Sequence, residues 1–255
     1  MNHHLLFLFL CLCPICLPAA GAFIDEGYIR YSQGQQTQTP EEKRHAFNDA
    51  LTIYLSELTQ NPSGRLLYNI GNCYCQLKEY GLALWYYYRA YKEMPRAEPL
   101  IQNIQRTKEL AHLPPSVNEN MVADTLLFFH RMLSLYEREM CLLGFLLCTF
   151  AFASFAVWLP QPTFLTLAFV SLGITIVFSA SIAWTLFFAP LEAVIIYPTP
   201  LYKGAGTEYP TLPGLPLIPG TKVTVRQVVN NGNWLKVESS THEEGFVAKE
   251  QARVI

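Results

Sequence analysis

Residues 141–191 form a long segment that contains no Asp, Glu, Lys or Arg. A helix rises 1.5 Å per residue, so about 20 apolar residues cross a hydrocarbon core of about 30 Å, and this segment has room for two such helices. Pro160 and Pro162 lie near its middle, and proline both removes a backbone donor and clashes with the preceding turn. We therefore predict two transmembrane helices, residues 141–159 and 164–188, whose outer ends emerge on the same side.

The alternative for this segment is a buried helical pair in a soluble core. Such a core needs much more surrounding chain than is present to cover so much apolar surface. The net charge is −2 and no block of Lys and Arg stands out, which argues against a nucleic-acid surface. We expect a multidomain membrane protein whose partners are the membrane and other proteins, with no nucleic acid.

The N-terminus has the features of a signal peptide, residues 1–22. Its apolar core, residues 5–17, is too short to span a membrane, and Ala20-Gly21-Ala22 fits the small-x-small cleavage rule. The preceding residues include no Lys or Arg, so cleavage stays open. Export places the segment before the first span outside the cytoplasm.

Two arginines before the first span favour the opposite orientation. Arg131 and Arg138 would lie inside by the positive-inside rule. Glu137 and Glu139 accompany them, and the turn between the spans carries no charge for comparison. The export signal therefore decides, and we predict that both soluble parts lie outside the cytoplasm.

Residues 64–97 read GRLLYNIGNCYCQLKEYGLALWYYYRAYKEMPRA and resemble a tetratricopeptide repeat, whose pattern is W-x2-L-G-x2-Y, then A, F, A and P. Gly71 and Ala83 let two helices approach closely, and Pro95 ends the second helix. The residues that match the pattern or fill its packing positions are Leu67, Ile70, Gly71, Tyr74, Ala83, Tyr87, Ala90 and Pro95. Leu67 stands where the pattern has Trp.

The segments on either side contain partial repeats, so we predict an all-α tetratricopeptide-type unit over residues 23–115. Residues 33–39 read as a polar loop, and residues 101–106 suggest a capping helix. The positions one repeat earlier are occupied by Phe47, Ala50, Tyr54 and Pro62. A lone repeat cannot bury its own apolar face, so we expect this array to depend on capping, membrane docking or a partner.

The first helix of the best repeat carries a polar face. In this repeat family the first helix lines the concave groove, and Arg65, Asn69 and Asn72 occupy positions 2, 6 and 9 of the repeat. Their spacing places them on one helical face. Asn can donate and accept at once, and Arg can bind a carboxylate in bidentate fashion. We predict a partner-binding groove here, and the alternative is a solvated polar face.

Residues 116–140 follow helical spacing, with apolar and polar residues on opposite stripes. The spacing predicts an amphipathic interfacial helix that runs into the first span. The alternative is a helix packed on the repeat unit.

Residues 192–255 change to an alternating pattern with Pro and Gly between the strands, which predicts a small β domain. Two strands flank Asn230-Asn231-Gly232-Asn233, a sequence typical of a hairpin loop. The strand with Trp234, followed by Gly245 and Phe246, resembles a bacterial SH3-like domain and implies an SH3-like barrel. Trp234 is either a packing residue or a binding platform, and the ligand, a peptide or peptidoglycan, stays open.

No catalytic pattern is present, so we predict a protein that is not an enzyme and that uses no cofactor or metal. Cys73 and Cys75 are two residues apart on a predicted helix and face different directions, which suits neither a shared metal nor a local disulfide. Cys141 and Cys148 lie in the first predicted span. A thiol redox enzyme using Cys73 or Cys75 is the alternative.

The order of signal peptide, tetratricopeptide unit, interfacial helix, two-span hairpin and SH3-like domain resembles the BatE family of the Bacteroides aerotolerance operon. The resemblance implies a bacterial inner-membrane protein with both soluble domains facing the periplasm. It also implies action with von Willebrand A-type Bat proteins and a MoxR-type ATPase, in stress or oxygen tolerance. We predict a membrane-anchored adaptor, with a peptidoglycan-binding sensor as the alternative.

Overall fold

A computed structural model describes residues 24–114, 128–159, 161–213, 216–239 and 242–255. The predicted signal peptide lies outside these residues, as does the first half of the predicted interfacial helix. The chain divides into two compact units, residues 1–53 and 54–255.

The first unit contains helix α1 (Ile24–Gln36) and the beginning of helix α2 (Pro40–Leu58). The ring of Phe47 packs 5.2 Å from that of Tyr31. Helix α1 continues through Gln36, so the polar loop predicted at residues 33–39 is confined to 37–39. Gln is a good helix former, so its polarity in this stretch does not end the helix.

The second unit starts with the end of α2. It continues with α3 (Gly64–Gln76), α4 (Tyr80–Glu93) and α5 (Glu98–Leu110), which we call the three-helix unit. The hydroxyl of Ser63 caps α3 by accepting a hydrogen bond from the backbone of Leu66. Helices α3 and α4 form the predicted helical pair. Seven of the predicted packing residues are buried: Leu67, Ile70, Gly71, Ala83, Tyr87, Ala90 and Pro95.

Tyr74 is the predicted packing residue that stays half-buried. Its ring stacks on Tyr86 of α4, with 5.4 Å between the ring centres. Gly71 lies directly under the ring of Tyr87, where a Cβ would come within 2.5 Å of the ring carbons. The close approach of α3 and α4 therefore depends on a residue without a side chain at this point.

A short helix, α6 (Phe128–Met132), is followed by two residues that are not helical, Leu133 and Ser134. Ser134 then caps α7 (Leu135–Trp158) through a capping box with Glu137. The predicted amphipathic helix of residues 116–140 is therefore interrupted within its described part, and α7 begins before the predicted start of the first span.

Helix α8 (Pro162–Ala183) follows α7 and ends in a π-helix (Trp184–Phe188). We call α7 and α8 with this π-helix the apolar hairpin. Both helices are long and apolar enough to cross a membrane. In their most apolar windows only 0% and 22% of the residues are buried by the rest of the chain, unlike helices of a soluble core.

Hydroxyl groups connect the two helices of the apolar hairpin. The Thr149 hydroxyl donates to Ser171 Oγ over 3.0 Å, and the Ser171 hydroxyl donates to the Phe145 carbonyl over 2.8 Å. Small hydroxyl residues of this kind allow close helix packing and satisfy their polar groups away from water.

The C-terminal part is a five-stranded antiparallel sheet in the order β4-β3-β2-β1-β5. Its strands are β1 (Leu191–Ile195), β2 (Lys222–Val229), β3 (Trp234–Glu238), β4 (Glu244–Ala248) and β5 (Ala252–Val254). One face buries a compact apolar core that includes Ile195, Val225, Leu235, Val237 and Val247. The predicted β2–β3 hairpin is confirmed, and Asn230, Asn231 and Gly232 adopt the positive φ angles that its turn requires.

The predicted closed barrel is wrong, because the sheet is open. Strands β4 and β5 form its two edges. Tyr202 pairs with Phe246 along the outer edge of β4, and the carbonyl of Val254 in β5 accepts a hydrogen bond from Trp85 of α4. The β4 edge is thus paired with another segment, whereas the β5 edge stays partly exposed and receives only one side-chain hydrogen bond.

Candidate partner-binding site

Helix α3 presents the three residues predicted to line a groove. Arg65 is exposed, whereas Asn69 and Asn72 are half-buried. Within the described part of the chain, the side chains of Arg65 and Asn69 form no hydrogen bond or ion pair with other residues. These two side chains are therefore available to an external partner.

Asn72 has a different role, because its side chain holds three helices together. Its Oδ1 accepts a 2.7 Å hydrogen bond from the Tyr87 hydroxyl on α4 and a 2.8 Å hydrogen bond from Asn103 Nδ2 on α5. Asn103 Nδ2 also lies 3.1 Å from the Tyr68 hydroxyl. A partly buried network of this kind stabilises one arrangement of the helices, since breaking it leaves polar groups unpaired.

Tyr68 and Asn103 were not predicted as part of this site. A signal for Asn103 was present: it stands one 34-residue repeat after Asn69, at the same repeat position. The polar residues after Pro99 also indicate a capping helix, and that interpretation does not predict the match between Asn103 and Asn69. No comparable pattern in the sequence marks Tyr68.

The sheet packs against the three-helix unit through helix α4. Gly81 faces the backbone of β1 and the residue after it, where a Cβ would lie 2.7 Å from the Ile196 carbonyl oxygen. Gly220, with φ of +93°, lies against the side chain of Leu84, where a Cβ would come within 2.5 Å of the Leu84 Cδ1. Since α4 precedes the apolar hairpin and β1 follows it, this contact places both parts on the same side of any membrane that the hairpin crosses.

Polar and aromatic contacts surround these glycines. Trp85 Nε1 donates to the Val254 carbonyl over 2.8 Å, and Lys92 Nζ donates to the Ile255 carbonyl over 3.0 Å. Lys222 lies 5.4 Å from the centre of the Tyr88 ring and pairs with Glu192 at 2.8 Å. Burial raises the pKa of Tyr88, and the negative charge of Glu192 raises it further.

An open cleft of about 200 Å³ lies beside this contact. Its lining is mostly apolar, with one Lys and one Glu at the end of α3: Lys78, Glu79, Tyr80, Gly81, Ala111, Ile196, Tyr197, Pro198, Ile218 and Pro219. This volume falls below the usual range of about 300–1,000 Å³ for small-molecule pockets.

The residues predicted as an SH3-like signature lie together on β3 and β4. Gly245 faces the segment that contains Leu201, where a Cβ would come within 2.9 Å of the Leu201 Cβ. Phe246 exchanges two backbone hydrogen bonds with Tyr202, of 3.0 and 2.8 Å. Trp234 is half-buried and meets the Tyr202 ring edge to face, with 5.4 Å between ring centres. Both residues of this aromatic pair are half-buried.

The two cysteines of α3 have different surroundings. Burial raises the pKa of the Cys73 thiol to about 12, so its reactive thiolate form is strongly disfavoured. Cys75 Sγ lies 3.4 Å from the Thr107 hydroxyl on α5. Among the described residues, no group of three or more His, Cys, Asp and Glu side chains could hold a metal ion.

Comparisons of the chain with protein-family models, with curated proteins and with solved structures found no match.

Proposed function

We propose that this protein is a membrane-anchored adaptor of the cell envelope that holds a protein partner on the α3 face of its three-helix unit. The observation that carries the proposal is the difference between the surfaces of helices α4 and α3. Helix α4 is occupied by the sheet, whereas Arg65 and Asn69 of α3 have no bonding partner among the described residues. An Arg and an Asn side by side suit an extended peptide that carries a carboxylate.

The test is an Arg65→Ala/Asn69→Ala double variant, used to capture partners from solubilised envelopes. Hydrogen bonds to a charged group contribute roughly 1.5–3 kcal/mol, so the partner should bind at least about tenfold more weakly. Asn72 is left unchanged because it stabilises the helices. The double variant should keep the circular dichroism of the wild type, and wild-type affinity in that folded variant would show that this face is not the groove.

Anchoring is proposed through the apolar hairpin, with both soluble parts in the periplasm of a bacterial inner membrane. Reporter fusions after Pro115 and after Ile255 should both be active only with an exported reporter, since two spans separate them. The protein should also stay with membranes during alkaline extraction. Activity of a cytoplasmic reporter at either position would contradict this topology.

The proposed physiological setting comes from the resemblance to the BatE family. The partners would be von Willebrand A-type Bat proteins and a MoxR-type ATPase, and the role would lie in stress or oxygen tolerance. Crosslinking in intact cells, followed by identification of the captured proteins, tests this assignment directly.

A second candidate function is recognition of peptidoglycan by the sheet. The half-buried aromatic pair Trp234 and Tyr202 favours it, because the exposed part of an aromatic surface can receive a sugar or peptide. A pull-down on purified wall material separates the two functions. Binding that Trp234→Ala abolishes would favour the sensor.

The thiol redox enzyme remains the least supported alternative. It requires a reactive thiolate, which the high pKa of Cys73 disfavours. It predicts loss of the physiological phenotype when both Cys73 and Cys75 become Ser, whereas an adaptor should retain it.

A further inference from the structure

At the outer end of the apolar hairpin, Arg138 of α7 is buried, with 5% of its surface exposed. Its Nη1 lies 2.9 Å from His130 Nδ1 of α6 and donates to the hydroxyls of Ser181 and Thr185 on α8 and its π-helix, over 3.0 and 2.9 Å. The Ser181 carbonyl lies 3.3 Å from the same nitrogen, and because Nη1 carries only two hydrogens, these four possible acceptors exceed its capacity.

The other edge of the guanidinium has no partner. Arg138 Nε is buried without a hydrogen bond, and no described residue bonds to Nη2. No carboxylate in the described ranges lies within ion-pair distance of Arg138: Glu137 is held by Ser134 and Arg96, and the charge of Glu139 acts on Arg138 without forming an ion pair. The Nε and Nη2 groups together form the fork that binds carboxylates and phosphates in bidentate fashion.

His130 keeps Arg138 in this arrangement. Burial lowers the pKa of His130, and the charges of Arg138 and Arg131 lower it further. The neutral ring can accept from Arg138 through Nδ1, which helps to hold Nη1 in place. A buried cation without a counter-ion is costly, so an anion from outside the chain would relieve this cost.

We propose that the Nε and Nη2 edge of Arg138 binds the phosphate of a membrane phospholipid. This inference rests on the proposed membrane anchoring. Arg138 lies about 30 Å along α7 from the turn between the helices, which equals the hydrocarbon thickness and places the guanidinium at the headgroup level. Tyr136 and Trp184 are exposed near the same end, as interfacial aromatic residues are.

Two further features favour a lipid over an acidic group of a protein. Phosphate is present at this level in every phospholipid membrane, whereas a protein carboxylate would have to be buried at the same place. Thr185, which contacts Arg138, lies in the π-helix, a local widening of the helical turn that is frequent at functional sites.

The test uses the full chain in an uncharged maltoside detergent, with lipid binding followed by native mass spectrometry. The probes are phosphatidylglycerol, a glucosyl diacylglycerol without phosphate, and inorganic phosphate. Wild type should bind phosphatidylglycerol at least about tenfold more tightly than the glucolipid. Arg138→Lys keeps the charge but lacks the fork and should lose this preference, whereas Arg131→Lys should retain it.

Several outcomes would overturn the proposal. They are equal binding of both lipids by the wild type, full lipid preference in a folded Arg138→Lys variant, and displacement of the lipid by inorganic phosphate at equal concentration. Crosslinking of an envelope protein at position 138 instead of lipid would also overturn it. Release of the protein from membranes by alkaline extraction would reject the anchoring itself, whereas an anchored protein without lipid preference would reject only this inference.

Discussion

Replacing Gly81 with alanine should separate the sheet from the three-helix unit, although alanine normally strengthens a helix. The added Cβ would lie 2.7 Å from the Ile196 carbonyl oxygen and 3.0 Å from both the Ile195 carbonyl oxygen and the Ile196 Cα. These are backbone atoms, which cannot rotate away as a side chain can. Overpacking costs about 1–3 kcal/mol, and we expect the upper end of that range because the neighbour is rigid.

The measurement is thermal unfolding of the full chain in detergent, combined with hydrogen exchange of residues 80–93 and 191–196. The Tm should fall by roughly 5–10 °C, and both segments should exchange faster. Gly144→Ala is the matched control: it also replaces a helical glycine, but nothing lies within 4 Å of its Cβ position. Helix propensity alone would stabilise either variant by up to about 1 kcal/mol, so a gain in stability for Gly81→Ala would refute the docking.

Gly71→Leu should disrupt the repeat from inside. Its Cβ would lie 2.5 Å from the ring of Tyr87, which is 1% exposed and whose hydroxyl is held by Asn72. The ring therefore has no free space to move into, and the remaining carbons of leucine enlarge the clash. We expect a loss of about 3 kcal/mol, which is a large fraction of the stability of a small domain.

Circular dichroism and thermal unfolding of the full chain measure this loss, because the sheet supports the three-helix unit and should remain attached. Gly173→Leu, at another helical glycine with nothing within 4 Å, is the control and should be nearly neutral. The Gly71→Leu/Tyr87→Ala double variant should lose less stability than the sum of the two single variants, because alanine removes the ring with which the leucine clashes. Strict additivity would mean that Gly71 and Tyr87 do not meet.

The parts of the fold that were predictable rest on short-range patterns. The uncharged segment with its two prolines predicts the apolar hairpin, and the small residues Gly71 and Ala83 predict the close helical pair. Each of these signals is read within a few turns of chain. The same holds for the Asn-Gly turn between β2 and β3.

The parts that were missed depend on contacts between distant segments. No periodicity connects Gly81 with Ile196, and a glycine inside a helix pattern looks merely tolerated. The inward role of Asn72 depends on Tyr87 and Asn103, which lie on two other helices. The open sheet follows from which segments cover its edges, and a strand pattern does not contain that information.

The break at Ser134 was a local signal that was overlooked. Ser134 and Glu137 have the spacing of a capping box, which marks the beginning of a helix. The regular apolar spacing on both sides of Ser134 suggested one continuous helix instead. The capping-box spacing of Ser134 and Glu137 predicts the observed beginning of α7, whereas the apolar spacing does not.

The contact between α4 and β1 also sets an order for biogenesis. Helix α4 is synthesised before the hairpin and β1 after it, so the docking surface on α4 stays unoccupied until both apolar helices have been made. If only one of them crossed the bilayer, the sheet would emerge on the opposite side and could never reach Gly81. A docked sheet therefore requires that both apolar helices cross the bilayer or that neither does.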